Sequence, residues 1–103
     1  MTPDWEEPFC LTAAEAMATG TPVAAFARGG LAEVVCEATG RLAPGGNVDA
    51  LAAALAASAL PRAAVRRSVL GRLGIDAMGR RYEAMFARLA AGTPVGAEAL
   101  EAV

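Results

Sequence analysis

The sequence predicts an α/β fold, rich in helix, with one or two short parallel strands. Three observations carry this. Good helix formers from Cys10 to Thr19 run into a short apolar segment, Pro22–Phe26, which ends at Arg28-Gly29-Gly30. Helix, strand, glycine turn and helix in succession is the rhythm of an α/β layer. After Asn47 the pattern changes to three helical stripes in a row.

Taken in order, residues 1–8 read as loop, because Pro3 and Pro8 block regular structure. Gly20 followed by Pro22 stops the first helix. The length and β-branched content of Pro22–Phe26 suit a buried parallel strand. Leu31–Val35 predicts a short helix, and Gly40–Ala43 a short strand before the Pro44-Gly45-Gly46 turn. Asn47 caps the next helix, with Val48, Leu51, Leu55 and Ala59 at helical spacing. Pro61 suits the first turn of the following one, which lines up Val65, Val69 and Leu73. Asp76 is read as the cap of the last helix, whose stripe is Met78, Tyr82, Met85, Phe86 and Leu89. Residues 1–90 are expected to form one partial domain, and 91–103 a frayed tail.

Composition narrows the function. The 103 residues are 55% hydrophobic but only 5% aromatic. Many of the apolar residues are alanines, so the core is thin and the helix stripes are short of partners. That predicts marginal stability and self-association. Nine arginines against eleven acids give a net charge of −2, without the basic face a nucleic-acid binder needs. The pairs Arg66-Arg67 and Arg80-Arg81 read as exposed helix faces. Histidine does not occur, and the two cysteines, Cys10 and Cys36, make neither a disulfide framework nor a metal set. No metal or cofactor is expected. The acidic start is no signal peptide, and no apolar stretch approaches the roughly 18 residues of a membrane span. A cytoplasmic location with reduced thiols follows as the expectation.

The informative stretch is Asp4–Glu33. Glu7-Pro8-Phe9-Cys10-Leu11 is followed by Glu15-Ala16-Met17-Ala18, then Gly20 and Pro22-Val23, with seven residues between Glu7 and Glu15. This resembles the group 1 (family 4) glycosyltransferases and their E-x7-E motif. The likeness is highly specific over the first thirty residues. It continues more generically through Arg28-Gly29-Gly30, Glu33, Gly40-Arg41-Leu42, Asn47–Leu51 and Arg81-Tyr82-Glu83, covering about residues 3–90.

The resemblance implies the C-terminal part of a Rossmann-like, GT-B type donor-binding domain. It implies a retaining transfer of sugar from a nucleoside-diphosphate sugar to an unknown acceptor, without a metal. Carried over residue by residue, Glu7 contacts the donor sugar and is the catalytic candidate. Phe9, Cys10, Leu11 and Thr12 bind donor sugar and diphosphate, and Glu15 holds the ribose. Physical chemistry agrees with these roles. A helix N-terminus offers unpaired amides and partial positive charge to a diphosphate. Carboxylates pair with vicinal hydroxyls.

Other readings stand beside these. Thr12-Ala13-Ala14-Glu15 also fits a capping box, the commoner meaning of such residues taken alone. Glu6 reads as a solvated loop acid, Phe9 as core, Trp5 as a loop anchor or lid. Gly29-Gly30 reads as an anion-binding nest or, more plainly, a tight turn. Cys10 departs from the family's usual glycine, so a side chain there crowds the sugar or forbids the turn. As a nucleophile Cys10 has no base to serve it. The acceptor domain and the basic phosphate-binding residues of such enzymes would lie upstream, so the chain alone is expected to be inactive. The alternatives are one half of a split enzyme, or a non-catalytic α/β remnant that binds a partner chain.

Overall fold

The computed structural model describes residues 1–93 and Gly96. Its elements run α1 (Leu11–Ala18), β1 (Val23–Phe26), α2 (Leu31–Val34), β2 (Gly40–Ala43), α3 (Val48–Ala56), α4 (Arg62–Leu73) and α5 (Ile75–Ala90). The predicted α/β class is the observed one. β1 and β2 pair in parallel, Val23 opposite Gly40 and Phe26 opposite Ala43. Met1 flanks the other edge of β1. Its ammonium donates to the Ala24 carbonyl at 2.9 Å, and its carbonyl accepts from the Phe26 amide at 3.1 Å. That is the bonding of a parallel pair. The segments leaving Met1, β1 and β2 therefore all emerge at the carboxyl edge of one sheet.

The chain divides into two compact units, the first ending at Val69 and the second beginning at Leu70. In the first, α3 packs on both strands, with Ala50, Leu51 and Ala54 against Ala24, Phe26 and Ala43. This corrects the predicted stripe of α3. Val48 and Leu55 are 70% and 66% exposed, and Ala59 lies beyond the helix. The helix is apolar almost all round, so periodicity does not choose a face. Close approach to the sheet does, and it favours the alanines. Asn47 caps α3 as predicted, its Oδ1 accepting from the Ala50 amide at 2.9 Å.

Gly20 ends α1 in the left-handed conformation, with φ 83°. Its amide reaches the Met17 carbonyl and that of Thr21 the Ala16 carbonyl, at 2.9 and 3.0 Å, which is the Schellman arrangement. The start of α4 is tied to this helix end. Arg62 donates to the Thr21 hydroxyl at 3.1 Å, and Arg66 donates to the Ala18 carbonyl. Arg66 is thus exposed as expected, yet it serves the negative end of α1. Val65 and Val69 are buried.

In the second unit, α5 begins at Ile75 with Gly74 as its N-cap. Asp76 is the second helical residue and not the cap that the sequence suggests. Its charge still stands at the positive helix end. Ala77 is buried, while Ala87 and Ala90 are exposed. Met78, Tyr82, Phe86 and Leu89 are exposed, and the rings of Tyr82 and Phe86 lie tilted at 39° with centroids 6.0 Å apart. Of the residues read as tail, Gly92 and Thr93 close α5 onto the Leu89 and Arg88 carbonyls. Pro94, Val95 and residues 97–103 lie outside the described residues.

Candidate functional site

The loop Glu6–Cys10 is held from behind by the Gly29-Gly30 turn. The Gly29 amide donates to the Glu6 carboxylate at 2.5 Å, and the Gly30 amide donates to the Glu7 carbonyl at 2.6 Å. The approach is so close that a Cβ on Gly30 would stand 2.1 Å from the Pro8 oxygen, and one on Gly29 2.2 Å from the Glu7 oxygen. Only glycine fits at either place, and Gly29 also has φ 56°. The pair forms the tight turn, its Gly29 amide on the Glu6 carboxylate and its Gly30 amide on the Glu7 carbonyl. Glu6 is exposed, as read from the sequence, and it also latches the loop to Gly29. The sequence did carry a signal for it, an acid beside the motif and a nest-forming glycine pair, but nothing local pairs residues 23 apart.

Pinned in this way, the loop delivers Glu7, half-buried, just before α1. Cys10 is the N-cap, with φ 70° and ψ 72°. It is the one non-glycine residue with positive φ among the described residues. The left-handed turn that glycine would favour is thus retained with a side chain in place. The thiol does not forbid the turn, and it is buried, at 7% exposure. A left-handed L-residue carries about 1–2 kcal/mol of strain. Cys10→Gly is accordingly expected to be more stable than Cys10→Ala by about 1 kcal/mol, the reverse of the usual helix-and-strand order. Urea melts of the two variants check it, and equal midpoints would mean that the strain is absent.

The first helical hydrogen bonds of α1 run from the Ala13 and Ala14 amides to the Cys10 carbonyl, at 3.1 and 3.3 Å. The amides of Leu11 and Thr12 precede them and have no place in the helical ladder. No side chain caps this end. The capping-box reading is thereby overturned, because the N-cap is Cys10 and Thr12 is already the second helical residue. Glu15 is free of that duty. It is exposed on the face of Leu11, about 6 Å further along the axis at 1.5 Å per residue. Ala13 and Met17 turn into the core. Leu11 is 68% and Phe9 40% exposed, so Phe9 is not core. Trp5 is exposed as well. Among the described residues no three Cys, Asp or Glu side chains gather in a group that could hold a metal ion.

An open helix N-terminus with exposed neighbours on the carboxyl edge of a parallel sheet is the place where α/β folds take anionic ligands. Comparison with known proteins agrees with that architecture. Residues 1–60 match the family described as "Glycosyl transferases group 1". The D-inositol 3-phosphate glycosyltransferase of Kribbella flavida is 44% identical over 75 residues, which is 72% of this chain and 17% of that protein. The chain belongs to the group 1 glycosyl transferases, and it spans about a sixth of the length of the curated relative it matches. No helix among the described residues is long and apolar enough to cross a membrane.

Proposed function

We propose that this chain is the donor-side portion of a GT-B type, retaining glycosyltransferase of family 4 that takes a nucleoside-diphosphate sugar. The observation that supports this most is the uncapped N-terminus of α1, directly after the loop that carries Glu7. The Leu11 and Thr12 amides receive the diphosphate, and Glu15 accepts from the ribose hydroxyls. Glu7 accepts from hydroxyls of the donor sugar, beside the bond that breaks. Catalysis rests on stabilising the leaving diphosphate where its charge develops, with no metal or general base from this segment. The E-x7-E pair is then two sugar-holding carboxylates placed by one loop and one helix turn. A second reading, a surface that binds a partner chain, draws on the exposed stripe Met78, Tyr82, Phe86 and Leu89. The two are compatible, since acceptor binding would come from another domain or chain, and the whole would work in the cytoplasm.

A chimera tests the reading. The matching segment of the Kribbella glycosyltransferase is replaced by this chain, and sugar transfer is measured for the chimera and for the isolated chain. Transfer by the chimera that depends on Glu7, with none from the chain alone, is expected. A folded chimera without transfer, or Glu7-dependent turnover by the isolated chain, contradicts it.

A further inference from the structure

We propose that Arg41 guards the outer edge of β2, closing it against strand pairing with a second copy of this chain. The inference is independent of the donor-site reading. β2 has β1 on one side, and no described strand lies on the other. In a parallel pair the backbone groups of alternate residues turn to opposite edges. The Val23 amide donates to the Thr39 carbonyl at 3.1 Å, and the Ala27 amide to the Ala43 carbonyl at 2.8 Å. Thr39, Arg41 and Ala43 therefore direct their backbone groups at β1, and Gly40, Leu42 and Pro44 direct theirs outward.

Most of the outward groups are already taken. The Gly40 amide donates to the Cys36 carbonyl at 2.9 Å, and the Pro44 carbonyl accepts from the Asn47 amide at 3.0 Å. Proline has no amide hydrogen to offer. The Gly40 carbonyl accepts from Arg41 Nη1 at 2.7 Å, and the same nitrogen donates to the Glu37 carbonyl at 2.6 Å. Only Leu42 keeps an amide and a carbonyl without partners among the described residues. A cavity lined by Ala32, Val35, Cys36 and Leu42 lies along the same edge, so an approaching strand has room.

Two antiparallel registers are open to a pair of identical edges. Centred on Leu42, the two Leu42 residues exchange both backbone bonds, and Pro44 of one copy faces Gly40 of the other. Centred on Arg41, each Leu42 amide meets the Gly40 carbonyl of the other copy. The guanidinium on the Gly40 carbonyl obstructs the first register and occupies the acceptor of the second. In the second it also sets two like charges directly opposite, which is unfavourable. Between Glu37 and Asp49, Arg41 is the one charged residue. A charge at that place is a known defence of an open sheet edge.

The test uses the full 103-residue chain. Parent and Arg41→Gln are compared by sedimentation over a concentration series, with hydrogen exchange of the Leu42 amide followed by NMR. In the parent that amide is expected to exchange fast at every concentration, even where the α5 stripe brings copies together. Arg41→Gln is expected to associate at about tenfold lower concentration, the worth of a freed acceptor and a removed like-charge pair. Its Leu42 amide becomes protected as the copies pair. Adding Leu42→Pro removes the amide at an edge position where proline is tolerated, and association returns to the parent's midpoint. Should melts show Arg41→Gln unfolded, Arg41→Met keeps the aliphatic stem and carries the same expectations. Association no stronger than the parent's overturns the proposal. So does association that leaves the Leu42 amide fast, or that survives Leu42→Pro, and so does a Leu42 amide already protected in the parent.

Discussion

Gly30→Ala is expected to unfold much of the first unit or leave it without a formed Glu6–Cys10 loop. The added Cβ would sit 2.1 Å from the Pro8 oxygen, a backbone atom that cannot swing aside as a side-chain tip could. The loop must move, and the hydrogen bonds from Gly29 to Glu6 and from Gly30 to Glu7 go with it. Steric displacement and two lost bonds together are worth about 3 kcal/mol or more. A domain of this size has only about 5–10 kcal/mol to lose, and an alanine-rich core stands at the low end. Gly79→Ala is the internal control. Gly79 lies inside α5 with nothing within 4 Å of its added Cβ, so alanine should stabilise by about 0.5–1 kcal/mol. Opposite signs in urea melts are the expected outcome. If both substitutions are mild, the turn does not hold the loop.

The second large effect is kinetic, and it concerns the two glutamates in the active chimera. Glu7→Gln is expected to lower kcat, because its hydrogen bonds lie closest to the bond that breaks and strengthen as charge develops. Glu15→Gln is expected to raise KM for the donor with kcat nearly unchanged. A ribose contact is made equally in the ground and transition states. Each lost charged hydrogen bond is worth about 1.5–3 kcal/mol, hence roughly ten- to a hundredfold in the affected constant. The structure sharpens this contrast. With Cys10 as the N-cap, Glu15 has no capping role to lose, and its glutamine variant should melt with the parent. Steady-state kinetics beside melting curves check both points. An early melt in Glu15→Gln with normal donor binding would return Glu15 to a structural role.

Much of the fold was legible because local chemistry and tertiary structure agree. Gly20 with Pro22 stops α1, Asn47 caps α3, and the apolar run before Arg28 is β1. The misread features share a cause, since each is decided by something distant or by distances that a pattern does not hold. Val48 and Leu55 fit a helical stripe, but α3 buries Ala54 and packs Ala50 and Leu51, partly buried, against the core, leaving Val48 and Leu55 exposed. Thr12 and Glu15 have capping-box spacing, but the chain enters α1 two residues earlier, at Cys10. Glu6 is placed by an amide 23 residues away.

The N-terminus of α1 is proposed to receive the diphosphate of a nucleotide donor. The most direct measurement is an amide ¹H–¹⁵N titration of the 103-residue chain with a nucleoside diphosphate. The Leu11 and Thr12 amide signals are expected to shift first and farthest, with Glu15 beside them and α5 unmoved. Saturable shifts that leave Leu11 and Thr12 in place, or no saturable shift of any signal, would contradict it.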